Sequence, residues 1–311
     1  MALSTEMILT LQQLDGVGNK TIFKIADQAD THITTMESLC KFWKSLKGKK
    51  LQSITADDLE DAHRVALRII SKCKSEDVGI ISFYESIFPE ILKSCVNEEG
   101  KLDPPILLYY RGNLDVLKKL GIAVIGTREP TRNGILAGKH FSGEFAKRGY
   151  NIVSGLAIGC DTTGHQGALA VGGATTAFLA NGLDWDSIYP KENLDLAKEI
   201  VVKRGLLLSE YPVGQSCGRY GLVARDRLQA GLSYATVVVQ TGVKGGTMHA
   251  VNATIQSKKP LFAVEYKTDE DTSNEKVQGN IKLVKEQKAY ALRSTGIDLS
   301  LIHISEPTRR S

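Results

Sequence analysis

Apolar residues follow two different patterns along this chain of 311 residues. In residues 1–75 they recur at intervals of three and four, as in MILTLQQL and LEDAHRVALRIISKC, which is typical of amphipathic helices. From residue 120 they form short continuous runs, among them GIAVIG, YNIVSG, TTAFLA and ATVVVQ, most of them separated by segments of helical length. Apolar strands that alternate with helices indicate a parallel sheet covered on both faces. We therefore predict a helical domain at residues 1–75, a connector at 76–119, and an α/β domain with a Rossmann-like, doubly wound, mainly parallel sheet at 120–290.

The composition is that of an ordinary soluble globular protein, with 42% hydrophobic and 24% charged residues. The formal net charge of +4 is compatible with a nucleic-acid partner but does not require one, because a local basic patch matters more than the sum. The five cysteines are widely spaced without a CxxC pair, which predicts neither a metal site nor a disulfide framework. No apolar run approaches the ~18 residues of a membrane span. We expect a cytoplasmic protein that uses no cofactor.

The end of the chain differs from the rest. Residues 291–311 are predicted to be a tail, and SLIHISEPTRRS at residues 300–311 resembles a translated sequencing adapter more than a natural polar end. We expect this last segment to be an artefact and assign it no functional role. The natural chain is then expected to continue beyond Leu299.

Glycine, serine, threonine and basic residues follow the predicted strands at the points where those strands end. In an open parallel sheet, ligands bind at the carboxyl ends of the strands, where helix N-termini converge. Glycine-bearing helix starts together with cations favour an anion. The spacing matches neither the dinucleotide-binding motif nor the P-loop. We predict a phosphate-binding edge formed by Gly126, Thr127, Arg128, Ser154, Gly155, Lys191, Arg225, Arg227, Lys244, Gly245, Gly246 and Thr247.

The helical domain contains a second candidate contact. LQQLDGVGNKTIFKI has the form of a helix-hairpin-helix motif, with Gly16 and Gly18 in the turn between two short helices. Such a turn exposes backbone N–H groups at a helix N-terminus, which suits a DNA phosphate. The alternative is a helical bundle whose turn merely needs glycine. The sequence leaves both interpretations open.

Six blocks of the chain, in order, resemble one family of proteins. DPPILLYYRGNL, AVIGTREPTRNG, IVSGLAIGCDTTGH, GLDWDSIYPKEN, LLSEYPVG and RDRLQAGLS are similar to the DprA/Smf family of DNA-processing proteins. The resemblance implies a Rossmann-like domain that binds single-stranded DNA, forms a homodimer and loads a RecA-type recombinase during natural transformation. It also implies cations for the DNA backbone at Arg128 and Lys191, and a phosphate-holding turn at Ser154 and Gly155. Trp185, near the same edge, is a candidate for base stacking.

Two blocks depart from the family pattern. Arg-Asn-Arg, usual in the family, is here Arg-Asp-Arg at residues 225–227, and the usual Ser-Gly-Ser is replaced by Gly-Gly-Thr-Met-His at residues 245–249. The added carboxylate lowers the local positive charge. An alternative function is therefore a nucleotide-sensing Rossmann-like module of a defence or regulatory system, which would use the same anion pocket for a small ligand.

The stretch VSGLAIGCDTTGHQGAL raises the alternative of a hydrolase. It contains Ser154, Asp161 and His165, the residue types of a catalytic triad, but no G-x-S-x-G elbow surrounds the serine. Asp161 and His165 are one helical turn apart, so we predict a buried hydrogen-bonded pair that supports the loop. The cytokinin-activating nucleotide phosphohydrolases, which resemble this superfamily, place a catalytic glutamate where this chain has Ala250. We therefore expect a binding protein without catalytic residues.

Overall fold

The computed structural model describes residues 3–46 and 49–293. The predicted tail from residue 294 onward, including the adapter-like segment, lies outside these ranges. Across the described ranges, no helix has both the length and the apolar character needed to cross a bilayer.

The N-terminal part of the chain is helical, in agreement with its three- and four-residue spacing. Its described helices are α1 (Thr5–Gln12), α2 (Asn19–Ala26), α3 (Met36–Trp43), α4 (Lys49–Gln52) and α5 (Ala56–Ser75). The long helix α5 begins at a capping box, in which the side chains of Thr55 and Asp58 each bind the other's backbone N–H. Apolar side chains of these helices share one core with Ile106 and Leu107, so the helical part packs directly on the sheet region.

One large sheet runs through the described part of the chain. Its nine strands are β1 (Gly79–Ser82), β2 (Leu107–Gly112), β3 (Gly121–Ile125), β4 (Asn151–Ser154), β5 (Ala174–Leu179), β6 (Leu206–Ser209), β7 (Ser233–Val238), β8 (Leu261–Val264) and β9 (Tyr290–Leu292). Their order in the sheet is β1-β2-β6-β5-β4-β3-β7-β8-β9. In this order, every neighbouring pair from β6 through to β9 is parallel. Strands β3 to β8 are almost entirely buried, as expected for a sheet covered on both faces. The predicted Rossmann-like, mainly parallel α/β fold is confirmed.

The segment predicted to be a connector, residues 76–119, contributes two strands to this sheet. Strand β2 lies between β1 and β6 and is antiparallel to both. The run ILLYY is apolar because its side chains pack into the hydrophobic cores on the faces of the sheet. Strand β9 likewise extends the sheet to Leu292, so the strands of the sheet lie between residues 79 and 292.

Helices cover both faces of the sheet. In the described residues they are α6 (Glu90–Lys93), α7 (Arg132–Lys147), α8 (Cys160–Ala170), α9 (Leu194–Val202), α10 (Arg219–Leu232), α11 (Thr247–Gln256), α12 (Asp269–Ser273) and α13 (Gln278–Lys285). Helices α7 and α8 lie so close together that a side chain at Gly167 would collide with the backbone of Lys139.

The strand order reverses at β3, which pairs with β4 on one side and with β7 on the other. Because these three strands are parallel, their carboxyl ends meet at one edge of the sheet. A reversal of this kind leaves a crevice outside the strand ends, where ligands of α/β proteins bind. The loops that follow β3 and β7 border this crevice.

Candidate nucleic-acid interface

A cavity of about 870 Å³ lies in the crevice beyond the ends of β3 and β7. The loops after both strands, the middle of α10 and the start of α11 line it. Eight of the twelve residues predicted to bind phosphate are among the lining residues: Gly126, Thr127, Arg128, Arg225, Lys244, Gly245, Gly246 and Thr247. The predicted ligand-binding edge and the cavity therefore largely coincide, while the other four residues lie elsewhere.

The loop that follows β3 forms one wall of the cavity. The Thr127 N–H donates to the carbonyl oxygen of Gln240 at 2.7 Å, and the Cys160 N–H donates to the carbonyl oxygen of Thr127 at 3.0 Å. A side chain at Gly126 would approach Cys160 Sγ to 2.5 Å, so glycine is required there. These contacts hold the backbone of the loop and leave Arg128 exposed at the cavity rim.

The loop after β7 and the start of α11 form a second wall. Gly245 has a φ of 141°, which favours glycine, and Gly246 caps α11 without a side-chain hydrogen bond. The start of α11 therefore places the positive end of the helix dipole at the cavity, while the N–H groups of Met248 and His249 donate to the carbonyl oxygens of Gly245 and Gly246 at 3.1 Å. Lys244 is exposed beside this helix start, and Lys276 reaches the same cavity from the loop between α12 and α13.

The floor of the cavity is built from α10. Arg225 is buried, and its Nη1 donates to the carbonyl oxygens of Gly155 and Phe178, the latter at 2.6 Å. Gln229 Nε2 donates to Asp226 Oδ1 at 3.0 Å, and Arg225 Nε lies 3.2 Å from the same oxygen. Burial raises the pKa of Asp226 to about 6, although the Arg225 charge acts in the opposite direction. The floor thus presents a carboxyl group beside a guanidinium that is already bound to protein carbonyls.

Ser154 and Gly155 do not line the cavity, which revises their predicted role. Ser154 Oγ donates to the carbonyl oxygen of Val124 at 2.6 Å, and the Gly155 N–H donates to Asp161 Oδ2 at 3.1 Å. A side chain at Gly155 would collide with the Arg225 guanidinium. The turn after β4 is therefore filled by protein groups, because α8 supplies a carboxylate and α10 a guanidinium that bind its backbone.

Arg227 lies in a buried ion-pair network outside the cavity, which revises its predicted phosphate contact. Its Nη1 and Nη2 donate to the two carboxylate oxygens of Glu210 at 2.8 and 2.9 Å, and its Nε donates to the carbonyl oxygen of Asp103 at 3.0 Å. The physical reason is helical geometry. Residues two positions apart on a helix point to nearly opposite sides, so Arg225 and Arg227 cannot both face the cavity.

Lys191 and Trp185 also lie outside the cavity. Lys191 is exposed at the start of a short 3₁₀ helix, and its Nζ donates to the carbonyl oxygen of Asp186. The guanidinium of Arg111 lies 4.3 Å from the centroid of the Trp185 ring, which occupies one face of that ring. Lys191 is therefore accessible from solvent, whereas Trp185 has at most one free face for a base.

The predicted helix-hairpin-helix is a hairpin of α1 and α2. Gly16 has a φ of 72°, and Gly18 caps α2 without a side-chain hydrogen bond. Both glycines are exposed, while Val17 between them is buried. Neither glycine lines the cavity, so a DNA contact at this turn would form a second, separate site.

Asp161 and His165 do not form the predicted pair. Asp161 accepts from two backbone N–H groups of the turn after β4, at 3.1 and 3.2 Å. His165 is buried with its Nδ1 2.7 Å from Thr175 Oγ1. Because the Thr175 hydroxyl itself donates to a carbonyl oxygen, the proton lies on Nδ1, and burial lowers the pKa of His165 to about 3. Ser154, Asp161 and His165 therefore make no catalytic triad.

The cavity lining also contains polar residues that are not part of the predicted site, among them Gln229, His249 and Lys276. None of these three follows a strand, which is the signal on which the prediction depended. Gln229 lies three positions after Asp226 on α10. This spacing places both polar residues on one face of the helix, and it is the pattern in the sequence that could have indicated Gln229. Lys276 reaches the cavity from a loop far along the chain, and its Nζ lies 3.2 Å from Glu129 Oε2. No local sequence pattern indicates that this lysine belongs to the site.

The fold has counterparts among known proteins. The model of the family described as DNA recombination-mediator protein A matches residues 79–300. DNA processing protein DprA of Bacillus subtilis (strain 168) is 31% identical over 241 residues, which cover 73% of this chain and 78% of that protein. Protein Smf of Synechocystis sp. is 38% identical over 170 residues, which cover 53% of this chain and 42% of that protein. The chain thus spans most of one relative and less than half of the other.

Two solved structures share the architecture. The X-ray structure of DNA processing protein A from Streptococcus pneumoniae has a TM-score of 0.72 and 24% identity, covering 96% of this chain and 98% of that chain. A structure of DNA processing protein A from Helicobacter pylori, which concerns its single-stranded DNA binding mode, has a TM-score of 0.60 and 28% identity, covering 72% of this chain and 95% of that chain.

Proposed function

Because this chain belongs to the DNA recombination-mediator protein A family, we propose that it binds single-stranded DNA in the cavity beyond β3 and β7. The observation that carries the proposal is the position of Arg128, Lys244, Lys276 and the N-terminus of α11 around one cavity. Cations and helix N-termini both stabilise phosphate charge. The Helicobacter pylori relative, whose structure concerns single-stranded DNA binding, supports the same class of ligand.

Phosphate contacts are proposed to supply most of the affinity. Arg128 and Lys244 contribute cations, the start of α11 contributes the positive end of its dipole, and the backbone from Gly126 to Thr127 holds the loop in place. Such contacts position a strand but carry little sequence information. Lys191 and the turn at residues 16–18 are proposed to bind the strand outside the cavity, since both are exposed.

The bound strand is proposed to be protected and passed to a RecA-type recombinase in the cytoplasm, with the protein acting as a homodimer. The description of the family as a recombination mediator supports a role beside a recombinase. We further propose binding without turnover. The buried, neutral His165 and the apolar Ala250 support this, because neither of these two positions, at which the sequence suggested catalysis, supplies a general acid or base to the cavity.

A second candidate function is the binding of a small nucleotide in the same cavity. The volume of about 870 Å³ lies in the range of small-molecule sites and favours this candidate. Asp161 and Asp226 also line the cavity, and carboxylates disfavour a polyanion more than they disfavour a nucleobase.

Fluorescence anisotropy separates the two candidates. Labelled single-stranded DNA, duplex DNA and RNA of about 20 nucleotides are titrated with the protein across a range of salt concentrations. We expect tightest binding of single-stranded DNA, an affinity that falls with salt, and no displacement by mononucleotides. Absence of binding to single-stranded DNA would contradict the proposal, and displacement by a mononucleotide at micromolar concentration would favour the second candidate.

A further inference from the structure

Asp226 and Gln229, which line the floor of the cavity, carry hydrogen-bond acceptors. The Asp226 side chain is 16% exposed, and its Oδ1 accepts from Gln229 Nε2 at 3.0 Å. Gln229 itself is 2% exposed, and within the described residues its Oε1 has no hydrogen-bond partner. A carboxylate and an amide oxygen thus lie on neighbouring positions of α10, three residues apart.

A phosphate does not satisfy these acceptors. It has no N–H group to donate, and the Asp226 carboxylate repels it. The exposed cations Arg128 and Lys244 stand at the rim, on the loops after β3 and β7. A buried acceptor without a partner costs free energy that a donor on a ligand would recover. The cavity therefore has two chemically different parts, a cationic rim for phosphate and an acceptor floor for N–H donors.

We propose that the floor formed by Asp226 and Gln229 binds the Watson–Crick edge of a guanine base in the DNA strand. Guanine has two adjacent N–H donors on that edge, N1–H and the exocyclic amino group. Adenine, cytosine and thymine each place an acceptor beside their donor, so they match two neighbouring acceptors less well. The inference rests on the proposed function, since the base belongs to the strand whose phosphates the rim binds.

The size and the surface of the cavity fit a nucleotide. Its volume of about 870 Å³ exceeds what a phosphate alone requires. Leu222 and Ala250 line it as well and offer apolar surface to the faces of a base. An unpaired base enters such a pocket without the loss of a base pair, so the cost of unstacking it is small.

The test uses oligothymidylates of about 20 nucleotides in which one central thymidine is replaced by dG, deoxyinosine, dA or dC. Affinities are measured by anisotropy well above the pKa of Asp226, about 6, so that its carboxyl group is ionised. With the unmodified protein we expect dG to strengthen binding about tenfold over the all-thymidine probe. Deoxyinosine, which lacks the exocyclic amino group, should lose most of this gain, and dA and dC should show none.

Two floor variants and one rim variant assign the effect. Asp226→Asn and Glu275→Gln each remove one negative charge from the cavity lining, and Glu275 is an exposed rim residue. Both should strengthen the binding of the all-thymidine probe, because the strand is an anion, but only Asp226→Asn should abolish the ratio of dG to thymidine affinity. Gln229→Met keeps the side-chain size, removes the unpartnered oxygen and should also reduce the ratio. It provides the test if Asp226→Asn fails to fold, as judged by circular dichroism.

The outcomes are distinguishable. Equal affinity of the unmodified protein for all probes overturns the guanine assignment and leaves single-stranded DNA binding intact. A guanine preference that survives both floor variants overturns the assignment to Asp226 and Gln229. Failure to bind any probe contradicts the proposed function itself, and the base assignment with it.

Discussion

Arg227 and Glu210 form a bidentate ion pair, with Nη1–Oε2 at 2.8 Å, Nη2–Oε1 at 2.9 Å and side chains that are 9% and 18% exposed. A planar guanidinium matched to a carboxylate in this way is among the stronger charged hydrogen bonds. The pair joins α10 to the residue directly after β6. It therefore holds in place the helix that forms the floor of the cavity.

Arg227→Ala is expected to lower the free energy of unfolding by about 3–5 kcal/mol, because the largely buried carboxylate of Glu210 is left without its partner. Urea denaturation measures this change. Lys203→Ala is the control, since its exposed pair with Glu199 is worth less than about 1 kcal/mol. The folded Arg227 variant should keep its affinity for single-stranded DNA. Lost affinity at full stability would instead support the phosphate contact predicted from the sequence.

Arg128→Ala and Lys244→Ala should each weaken single-stranded DNA binding. Each lost phosphate contact is expected to reduce the slope of log affinity against log salt by about 0.7. Lys191→Ala should act in the same way if the strand continues outside the cavity. Because these side chains are exposed, the melting temperatures should not change. Lys203→Ala again serves as the control, and unchanged slopes in all the cavity variants would place the strand elsewhere.

The low pKa of the buried His165 leads us to expect that the protein loses stability in acid. Burial lowers its pKa from 6.5 to about 3, so between these values the unfolded chain binds a proton that the folded chain does not. Its contribution to stability is therefore complete above about pH 6.5 and decreases toward about pH 3, by up to about 1.4 kcal/mol per pH unit. His165→Leu should flatten this part of the stability profile, measured by urea denaturation at stepped pH. If the stability profile of the His165→Leu variant keeps its slope between pH 3 and pH 6.5, other groups cause the loss of stability.

The raised pKa of Asp226 leads us to expect tighter DNA binding in mild acid. The charged groups that face its carboxyl group are Arg225, Asp161 and His249. As the pH falls through about 6, Asp226 takes up a proton and the cavity loses a negative charge, so the all-thymidine probe should bind severalfold more tightly. The sign for stability is consistent with this. The contribution of Asp226 is present below about pH 3.8 and is lost as the pH rises through about 6.

Asp226→Asn should remove this pH dependence, because its side chain stays neutral throughout. Anisotropy titrations of the variant and the unmodified protein at matched pH values give the comparison. If the variant retains the pH profile of the unmodified protein, the profile does not arise from Asp226.

Gly159 supports the loop that carries Arg128. It has a φ of 84°, and a side chain there would come within 2.5 Å of the Thr127 carbonyl oxygen. Gly159→Ala is expected to cost about 1–3 kcal/mol, because a φ of 84° with a ψ of −127° suits only glycine, and to displace the loop, which weakens DNA binding. Gly172→Ala is the matched control, because Gly172 has a φ of 67° and open space around it. The Gly172→Ala variant should lose stability but keep the DNA affinity of the unmodified protein. Equal DNA affinities of the two variants would show that the loop does not need Gly159.

The sequence by itself determined the sheet and the edge at which the cavity lies. GIAVIG and ATVVVQ form β3 and β7, because continuous apolar runs of this length are buried on both faces of a parallel sheet. The glycine-bearing loops at residues 126–128 and 244–247 then border one cavity, since parallel strands direct their carboxyl ends to the same side.

Only the tertiary structure decided which side chains face that cavity. Arg225 and Arg227 are two residues apart and alike in the sequence, yet the first lines the cavity floor and the second is paired with Glu210. The turn at Ser154 is likewise filled by groups of α8 and α10, and Lys276 joins the site from a distant loop. The physical reason is that periodicity reports burial along one element, whereas partners from remote parts of the chain are chosen by the packing of elements against one another.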